Sequence, residues 1–578
     1  MQTIPQQFIT TVQTFPNRPA VRFKFHGAYS SVTFSQLQQR VEDMAKGLRV
    51  LGVTAGDRVA ILSENRSEWI RSDLAILWLG AVTVPIHTTL SPSLIEHVIN
   101  DCQATTVIVS NQTHFAKLAA IHQNLSSVTT IIYITLDHPE EYTLRQRLVS
   151  LADVMEQGAA QPESLAPVVG SPDDIATIMY TSGTTGMPKG VMLTHRNFLS
   201  NAQAATTVLS VTEHDTYLSF LPFSHVLERT AAYYAGMVYR GSCLALAEDI
   251  KALSRNLKEV KPTIFVAVPR VFEKFHATIW EHIKDGGALS RSLFVWALRQ
   301  NPGTFGYWFA HNIIMRRVRG AFGGRLRFAI SGGATLNPKL GKFFERIGIA
   351  IIEGYGLSET APVATVNRLG AARFGTVGTQ LPGVEVMLTA EKEIIVRGPN
   401  VMKGYYNKPE LTQQVIDADG WFHTGDLGHF DGDGYLTIIG RKKEMMVLSN
   451  GKNVWPEQLE LLLNNDRCIA QSVVYGHQRP HLVALIVPDW QEVGRVLADQ
   501  GVTLGEPDVM VKHPAVQALF NERIHKLNQQ IADWEDIRRF VLLPREFSQQ
   551  RDELTPTLKL RRSVIEQRYR QLLDGLYR

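Results

Sequence analysis

Cysteine is scarce. Three thiols, Cys102, Cys243 and Cys468, in 578 residues are too few and too scattered for a disulfide framework or a cysteine-based zinc site, which points to a reducing compartment. An excess of one charge is missing too. Lys and Arg number 59 against 55 Asp and Glu, a net +4, which excludes a dedicated nucleic-acid coat or an acidic tail protein but leaves room for a local basic patch. Long hydrophobic runs are absent as well: the longest, LAILWLGAVTVPI at 74–86, is about 13 residues where roughly 20 are needed to cross a bilayer. The N-terminal MQTIPQQFITTVQTFP has neither a basic stretch nor an apolar core and does not read as a targeting segment. No repeat or low-complexity tract stands out. The expectation is a cytoplasmic protein, at most peripheral to the membrane's cytoplasmic face.

What is present is the composition of a large globular enzyme: 44% hydrophobic and 20% charged, in a chain long enough to bury a sizeable core unaided. Short β-branched runs at 59–62, 106–109, 131–134, 263–268 and 327–330 alternate with helical patterns, of which 37–51 is one, ended at Gly52. Apolar strands separated by helices predict an α/β fold of parallel sheets buried on both faces. From about 375 to 440 the texture changes to short strands punctuated by Gly, Pro and Asp, a small β-barrel-like subdomain. Beyond 441 a helix near 456–463, strands at 472–475 and 482–487 and a basic helical tail predict a small α+β domain. The expected division is 1–440 and 441–578.

The sharpest local signal is YTSGTTGMPKG at 180–190, directly after the apolar IATIM. The loop leaves a strand end, where α/β proteins bind ligands. Gly183, Gly186 and Gly190 free the backbone to turn N–H groups inward, and Thr181, Ser182, Thr184, Thr185 and Lys189 add donors suited to an oligophosphate. It is not a Walker A loop, because no Gly-Lys-Ser/Thr stands at the required spacing. A flexible Gly/Thr turn is the bland alternative. Further along, GYGLSET at 354–360 sets an aromatic ring, hydroxyls and a carboxylate side by side; carboxylate oxygens combined with substrate phosphates are how Mg²⁺ is usually held. In WFHTGD at 421–426 the acceptor-only carboxylate of Asp426 suits a pair of ribose hydroxyls. Asp431 and Asp433 read as turn formers, since the remaining EF-hand spacing is lacking.

These segments occur in an order that resembles the acyl-adenylate-forming superfamily of acyl-CoA ligases, peptide-synthetase adenylation domains and beetle luciferases. The motifs run from about 180 to 560, and the fold correspondence covers nearly all of the chain. The resemblance implies that loop residues Thr181 to Gly186 and Lys189 cradle the ATP phosphates, with Thr184 and Glu359 at the Mg²⁺ ion. It implies that Gly332, Gly333 and Ala334 of SGGA lie against adenine, that Tyr355 and Gly356 carry the base-stacking ring, and that Thr360 bonds the α-phosphate. His225 of LPFSH lies beside the acyl carboxylate. Asp426 and Arg441 hold the ribose or phosphate, Lys443 is the hinge, and Gly451 and Lys452 of NGKN line the pantetheine channel. Lys559 in LTPTLKL is the adenylation lysine; the family's common form has Gly before it, and here Leu558 stands there, as in long-chain fatty-acyl members.

The implied chemistry is attack of a carboxylate on the ATP α-phosphorus, then transfer of the acyl group to a pantetheine thiol, by a body and a mobile lid. A long-chain fatty acid is the expected substrate, with ATP and CoA as co-substrates. A carrier-protein phosphopantetheine acceptor, an aryl acid and a catalytically silent acyl- or nucleotide-binding protein stay open. Residues 291–327 hold seven Arg and no acid, interleaved with FVWAL and FGYWF; such a stretch suits either an interfacial membrane contact or a hairpin docked on the core.

Overall fold

The structure, a computed structural model, describes residues 2–181, 187–498, 501–503, 505–555 and 559–578. Two compact units are distinguished. One runs up to Met387 and includes Ile395–Thr424 and Asp431–Leu436; the other comprises Leu388–Ile394, Gly425–Phe430 and Thr437–Arg578.

The larger unit is built on two sheets. The eight-stranded sheet has the order Gly404–Tyr405, Lys189–Thr194, Ile175–Thr181, Val82–Ile86, Arg58–Leu62, Thr106–Val109, Thr130–Tyr133 and Arg147–Ser150. From Ile175–Thr181 onward its strands are parallel, and the first two are antiparallel to their neighbours. The nine-stranded sheet is parallel from Ala350–Gly356 through Phe328–Ser331, Ile264–Ala267, Thr216–Ser219 and Cys243–Leu246 to Pro19–Phe25. The continuous apolar runs are explained by burial: every residue of Val82–Ile86, Thr106–Val109 and Ile264–Ala267 is enclosed. Residues 74–86 are the end of helix Ser67–Trp78 running into strand Val82–Ile86. The helix expected at 37–51 starts earlier, at Phe34, because Thr33 and Gln36 form a reciprocal cap with bonds of 3.2 and 3.0 Å.

One buried ion pair ties this unit together. Arg229 and Asp73 are both fully enclosed and in direct contact. Arg229 also donates to Thr177 Oγ1 at 2.8 Å, and Tyr234 OH donates to Asp73 Oδ2 at 2.7 Å. Arg229 opens an 11-residue π-helix, Arg229–Tyr239, whose Tyr233 and Tyr234 pack against Trp69, Phe198 and Phe223. This aromatic helix therefore supplies core. Next to it Glu228 is wholly buried, and burial pushes its carboxyl up to about 8, with Ser219 pulling the other way.

Of the short strands at 375–440, Glu385–Leu388, Glu393–Arg397, Phe422–Phe430 and Leu436–Arg441 form a four-stranded sheet in that order, while Thr379–Gln380 joins the nine-stranded sheet and Gly404–Tyr405 the eight-stranded one. Asp431 turns the chain: its Oδ1 accepts from Asp433 and Tyr435 backbone N–H at 3.0 and 2.9 Å. In the smaller unit, Ile469–Tyr475 pairs antiparallel with Leu482–Pro488, which pairs parallel with Ile537–Leu542. Strict alternation splits this sheet between two cores. Leu482, Ala484 and Ile486 face helix Pro514–Asn528 through Val516 and Phe520, while Val483, Leu485 and Val487 face Leu554, Ile565 and Leu573. The segment bearing Lys559 is thereby held to one face of a rigid sheet.

Residues 291–327 form helix Gly287–Leu298, a short helix Phe305–Phe309 and a turn of π-helix leading to Met315–Gly320. Two of the seven arginines are structural: Arg319 donates to the Ile347 and His311 carbonyls, and Arg327 pairs with Asp215. Apolar side chains on the hairpin are left in solvent, with Leu289 82%, Phe305 80% and Trp308 56% exposed.

Truncating Asp73 to Ala leaves a buried guanidinium unpaired and is expected to cost roughly 3–5 kcal/mol, with Asp73→Leu/Arg229→Met recovering most of it; a single variant that melts with the wild type would show the pair to be dispensable. Glu228 gives a pH signature. Its carboxyl binds a proton in the fold between pH 4.5 and 8 that the unfolded chain releases, so its contribution is full at low pH and lost as pH rises through about 8. Glu228→Gln is expected to raise the melting temperature relative to wild type at about pH 9 but not at about pH 5; equal shifts at both would contradict a neutral buried carboxyl.

Candidate active site

The phosphate-binding candidate loop is closed at its base by antiparallel pairing of Thr181 with Lys189 and of Tyr180 with Gly190. Its residues Ser182, Gly183, Thr184, Thr185 and Gly186 lie outside the described residues. Helix Pro92–Cys102 braces both flanks. Tyr180 OH donates to Asp101 Oδ2 at 2.5 Å, and His97 Nε2 lies 3.0 Å from the Pro188 carbonyl. His97 and Asp101 are four residues apart, hence on one helix face; no motif marks them, and sequence reasoning missed both.

Lys189 is placed over the ring of Tyr405, its Nζ 4.3 Å from the centroid. The Tyr405 hydroxyl donates to Glu359 Oε1 at 2.8 Å. Burial, and then the Glu359 charge, push the Tyr405 phenol well above its ordinary range, so it stays a donor. Glu359 sits in the tight turn Ser358–Thr360, and its carbonyl accepts from Met402 N–H at 2.8 Å. This half-buried, oriented carboxylate fits a Mg²⁺ ion, which takes one or two protein carboxylates and completes its shell with phosphate and water oxygens.

Gly354, Tyr355 and Gly356 close strand Ala350–Gly356. Thr360 is fully buried; its hydroxyl donates to the Pro362 carbonyl at 2.5 Å and accepts from Leu357 N–H at 2.9 Å. Reaching a phosphate requires that hydroxyl to exchange partners.

The glycine turn follows the adjacent strand, where Ser331 is in register with Glu353. Gly333 has φ +83°, a left-handed backbone that a side chain strains. A Cβ on Gly332 would come within 3.0 Å of Leu227, so the turn packs against the segment after His225; Ala334 is exposed. Glu353, another residue the motifs did not reveal, accepts backbone N–H groups from Leu336 and Gly375; burial pushes it up to about 8.

His225 caps a short helical turn, its Nδ1 accepting from Leu227 N–H at 3.3 Å. Its ring stands 6.4 Å from that of His87, which is within 2.8 Å of the Ser224 hydroxyl. Burial pushes His87 down to about 4, so it is neutral at ordinary pH. Asn65 fixes the LPFSH backbone by donating to the Leu221 carbonyl at 2.6 Å and accepting from Phe223 N–H at 2.9 Å.

The smaller unit carries a second cluster. Asp426 is buried and its Oδ1 is 3.2 Å from Arg441 Nε. Thr555 and Lys559 pin each other, backbone N–H to carbonyl at 2.8 Å and N–H to hydroxyl at 3.0 Å. Lys559 keeps solvent-exposed surface yet stands among enough protein to be desolvated. Desolvation, then repulsion from Arg441, lowers its ammonium below the lysine range, while Glu457, Asp426 and Glu444 pull upward. Lys559, Arg441 and Asp426 thus share one electrostatic cluster. Lys443 is exposed in the turn Lys442–Glu444, and Glu444 meets Arg562 Nε at 3.4 Å. Gly451, at φ +78°, forms the tip of the hairpin joining Met446–Val447 to Asn453–Val454, and Lys452 Nζ rests 4.9 Å from the Trp534 ring.

Residues 8–406 match the family model described as AMP-binding enzyme, and residues 443–578 match that of the AMP-binding enzyme C-terminal domain. The long-chain-fatty-acid–CoA ligase FadD15 of Mycobacterium bovis is 34% identical over 577 residues, covering 95% of this chain and 93% of that protein. The chloroplastic long-chain-fatty-acid–acyl-carrier-protein ligase AEE15 of Arabidopsis thaliana is 29% identical over 650 residues, covering 100% and 87%. Among solved structures, the A domain of carboxylic acid reductase from Segniliparus rugosus, in complex with AMP and a co-purified carboxylic acid, is similar with a TM-score of 0.80 at 21% identity, covering 100% of this chain and 94% of that one. That likeness shows the fold alone. With both family models matched and a relative one-third identical across nearly the whole chain, this protein belongs to the AMP-binding enzyme family.

Proposed function

We propose that the protein is a long-chain fatty acid–CoA ligase. A fatty-acid carboxylate oxygen attacks the α-phosphorus of ATP, the bond to the β-phosphate bridging oxygen breaks, and pyrophosphate leaves. The thiol sulfur of CoA then attacks the acyl carbon; the bond to the AMP oxygen breaks, the thiol proton is released, and acyl-CoA and AMP result. The observation that carries this reading is the Lys559 ammonium set in one electrostatic cluster with Arg441 and Asp426. The attack crowds negative charge at the α-phosphate, and a positioned ammonium and guanidinium stabilise that charge in the transition state. Asp426 suits the ribose hydroxyls, the 332–334 turn and Tyr355 suit the adenine, and His225 suits the acyl carboxylate. Thr184 belongs with the phosphate loop, and Glu359 would hold Mg²⁺, which when bound neutralises phosphate charge. Lys443 serves as the hinge between the two half-reactions, with Gly451 and Lys452 along the thiol's path in the second.

The names of the relatives favour a long-chain acyl group; the second of them makes acyl carrier protein the alternative acceptor. Exchange of labelled pyrophosphate into ATP, across fatty and aryl acids, separates the substrates, and thiolation with CoA or carrier protein separates the acceptors. Lys559→Ala is expected to slow fatty-acid-dependent pyrophosphate release by about 10²-fold or more, while thiolysis of supplied acyl-AMP is retained. Unchanged release would remove Lys559 from its role, and none in the wild type would favour a silent binding protein.

Long fatty acids reside in membranes, and we propose that the hairpin from 287 to 317 meets an anionic lipid surface from the cytoplasmic side. Exposed Leu289, Trp296, Phe305 and Trp308 accompany exposed Arg291, Arg299, Arg316 and Arg317, the pairing of apolar and basic groups that suits an interface. Cosedimentation with anionic but not neutral vesicles is expected, weakened about fivefold by each of Arg316→Ser and Arg317→Ser and further by Trp308→Ser; binding unmoved by these changes would refute the contact.

A further inference from the structure

The phosphate-loop lysine and the candidate metal carboxylate carry opposite charges and reach the same tyrosine. Lys189 Nζ lies 4.3 Å from the centroid of the Tyr405 ring, and the hydroxyl of that ring donates to Glu359 Oε1 at 2.8 Å. We propose that Tyr405 is a positioning residue that aims Lys189 and Glu359 together, the lysine through its ring face and the carboxylate through its hydroxyl. The inference rests on the ligase reading and adds to it a residue that no motif supplied.

The two charges meet different parts of one neutral side chain. A cation over an aromatic face keeps its full positive charge while gaining attraction from the ring, and a carboxylate accepting a hydrogen bond from a phenol keeps its negative charge while losing rotational freedom. Tyr405 can aim both groups because its ring is held in place. It is only 4% exposed, and the strand Gly404–Tyr405 is sewn to the strand that leaves the phosphate loop. Tyr405 is in register with Val191, and Tyr406 N–H donates to the Gly190 carbonyl at 2.7 Å. Two residues earlier, Lys403 N–H donates to the Met192 carbonyl at 3.0 Å, and Met402 N–H holds the Glu359 carbonyl at 2.8 Å. Backbone bonds therefore fix the ring against both Lys189 and Glu359. The raised phenol keeps the hydroxyl protonated, as donation to a carboxylate requires.

The roles of ring and hydroxyl separate cleanly by substitution. ATP binding to the full-length protein without fatty acid is measured by calorimetry, with and without Mg²⁺. In Tyr405→Phe the ring stays, so metal-free ATP affinity is expected within about twofold of wild type, whereas the gain in affinity on adding Mg²⁺ falls on the order of tenfold, the scale of a lost hydrogen bond to a charged group. In Tyr405→Leu the lysine loses its platform too, and metal-free affinity drops several-fold as well. In a Glu359→Gln background Tyr405→Phe adds nothing to the Mg²⁺ effect, because the hydroxyl acts through that carboxylate. Melting temperatures of Tyr405→Phe and wild type are expected to agree closely. A Phe variant that matches wild type in both titrations, or Phe and Leu variants that lose metal-free affinity equally, overturns the proposal. No ATP binding by the wild type overturns the ligase reading itself, and that result is distinct from either.

Discussion

The buried pair Asp73–Arg229 is the constraint on which the larger unit depends. Both charges are fully enclosed, so each is tolerable only while the other is present. Through Thr177 the pair grips the strand that delivers the phosphate loop, and through Tyr234 it grips the π-helix. Arg229 itself follows the 221–225 segment by a few residues, so the loop's strand and His225 are referenced to one buried contact. Two other buried carboxyls, Glu228 and Glu353, follow a different rule: with no arginine among the causes of their shifts, burial moves them towards the neutral form.

In each of the two clusters, charged groups are held by partners within the same unit. Lys189 has a ring, Glu359 a phenol, and Lys559 a field in which Arg441 opposes Glu457, Asp426 and Glu444. Preorganisation of this kind lets the protein meet developing negative charge without reorganising. The phosphate loop is braced in the same spirit from outside: Asp101 and His97 hold the residues just before and just after it, and Tyr405 follows on the next strand.

The parallel α/β fold was legible because its signal is local. Runs such as 59–62 and 107–109 are apolar throughout, and the structure buries them on both faces. Helix 34–50 shows the limit of periodicity: its start is decided by a Thr–Gln cap rather than by the apolar stripe. Motif spelling located the candidate loop, the GYG segment and the lysine arm, but not what their groups touch. Thr360 spends its hydroxyl on a turn, and Arg319 and Arg327 on packing, so only part of the arginine cluster faces outward. Tyr405, Asp101, His97, Asn65 and Glu353 escaped because their roles arise from contacts across tens to hundreds of positions, which no single-sequence pattern encodes.

The central claim, that the carboxylate itself attacks the α-phosphorus, has a direct isotopic test. Turnover of a long-chain fatty acid labelled with ¹⁸O in its carboxyl group, with ATP and CoA, is followed by mass spectrometry of the products. The account predicts one labelled oxygen in AMP and none in pyrophosphate, because the acyl carbon leaves one of its oxygens on phosphorus when the thiol attacks. Label in pyrophosphate or inorganic phosphate, or ADP in place of AMP, would contradict it.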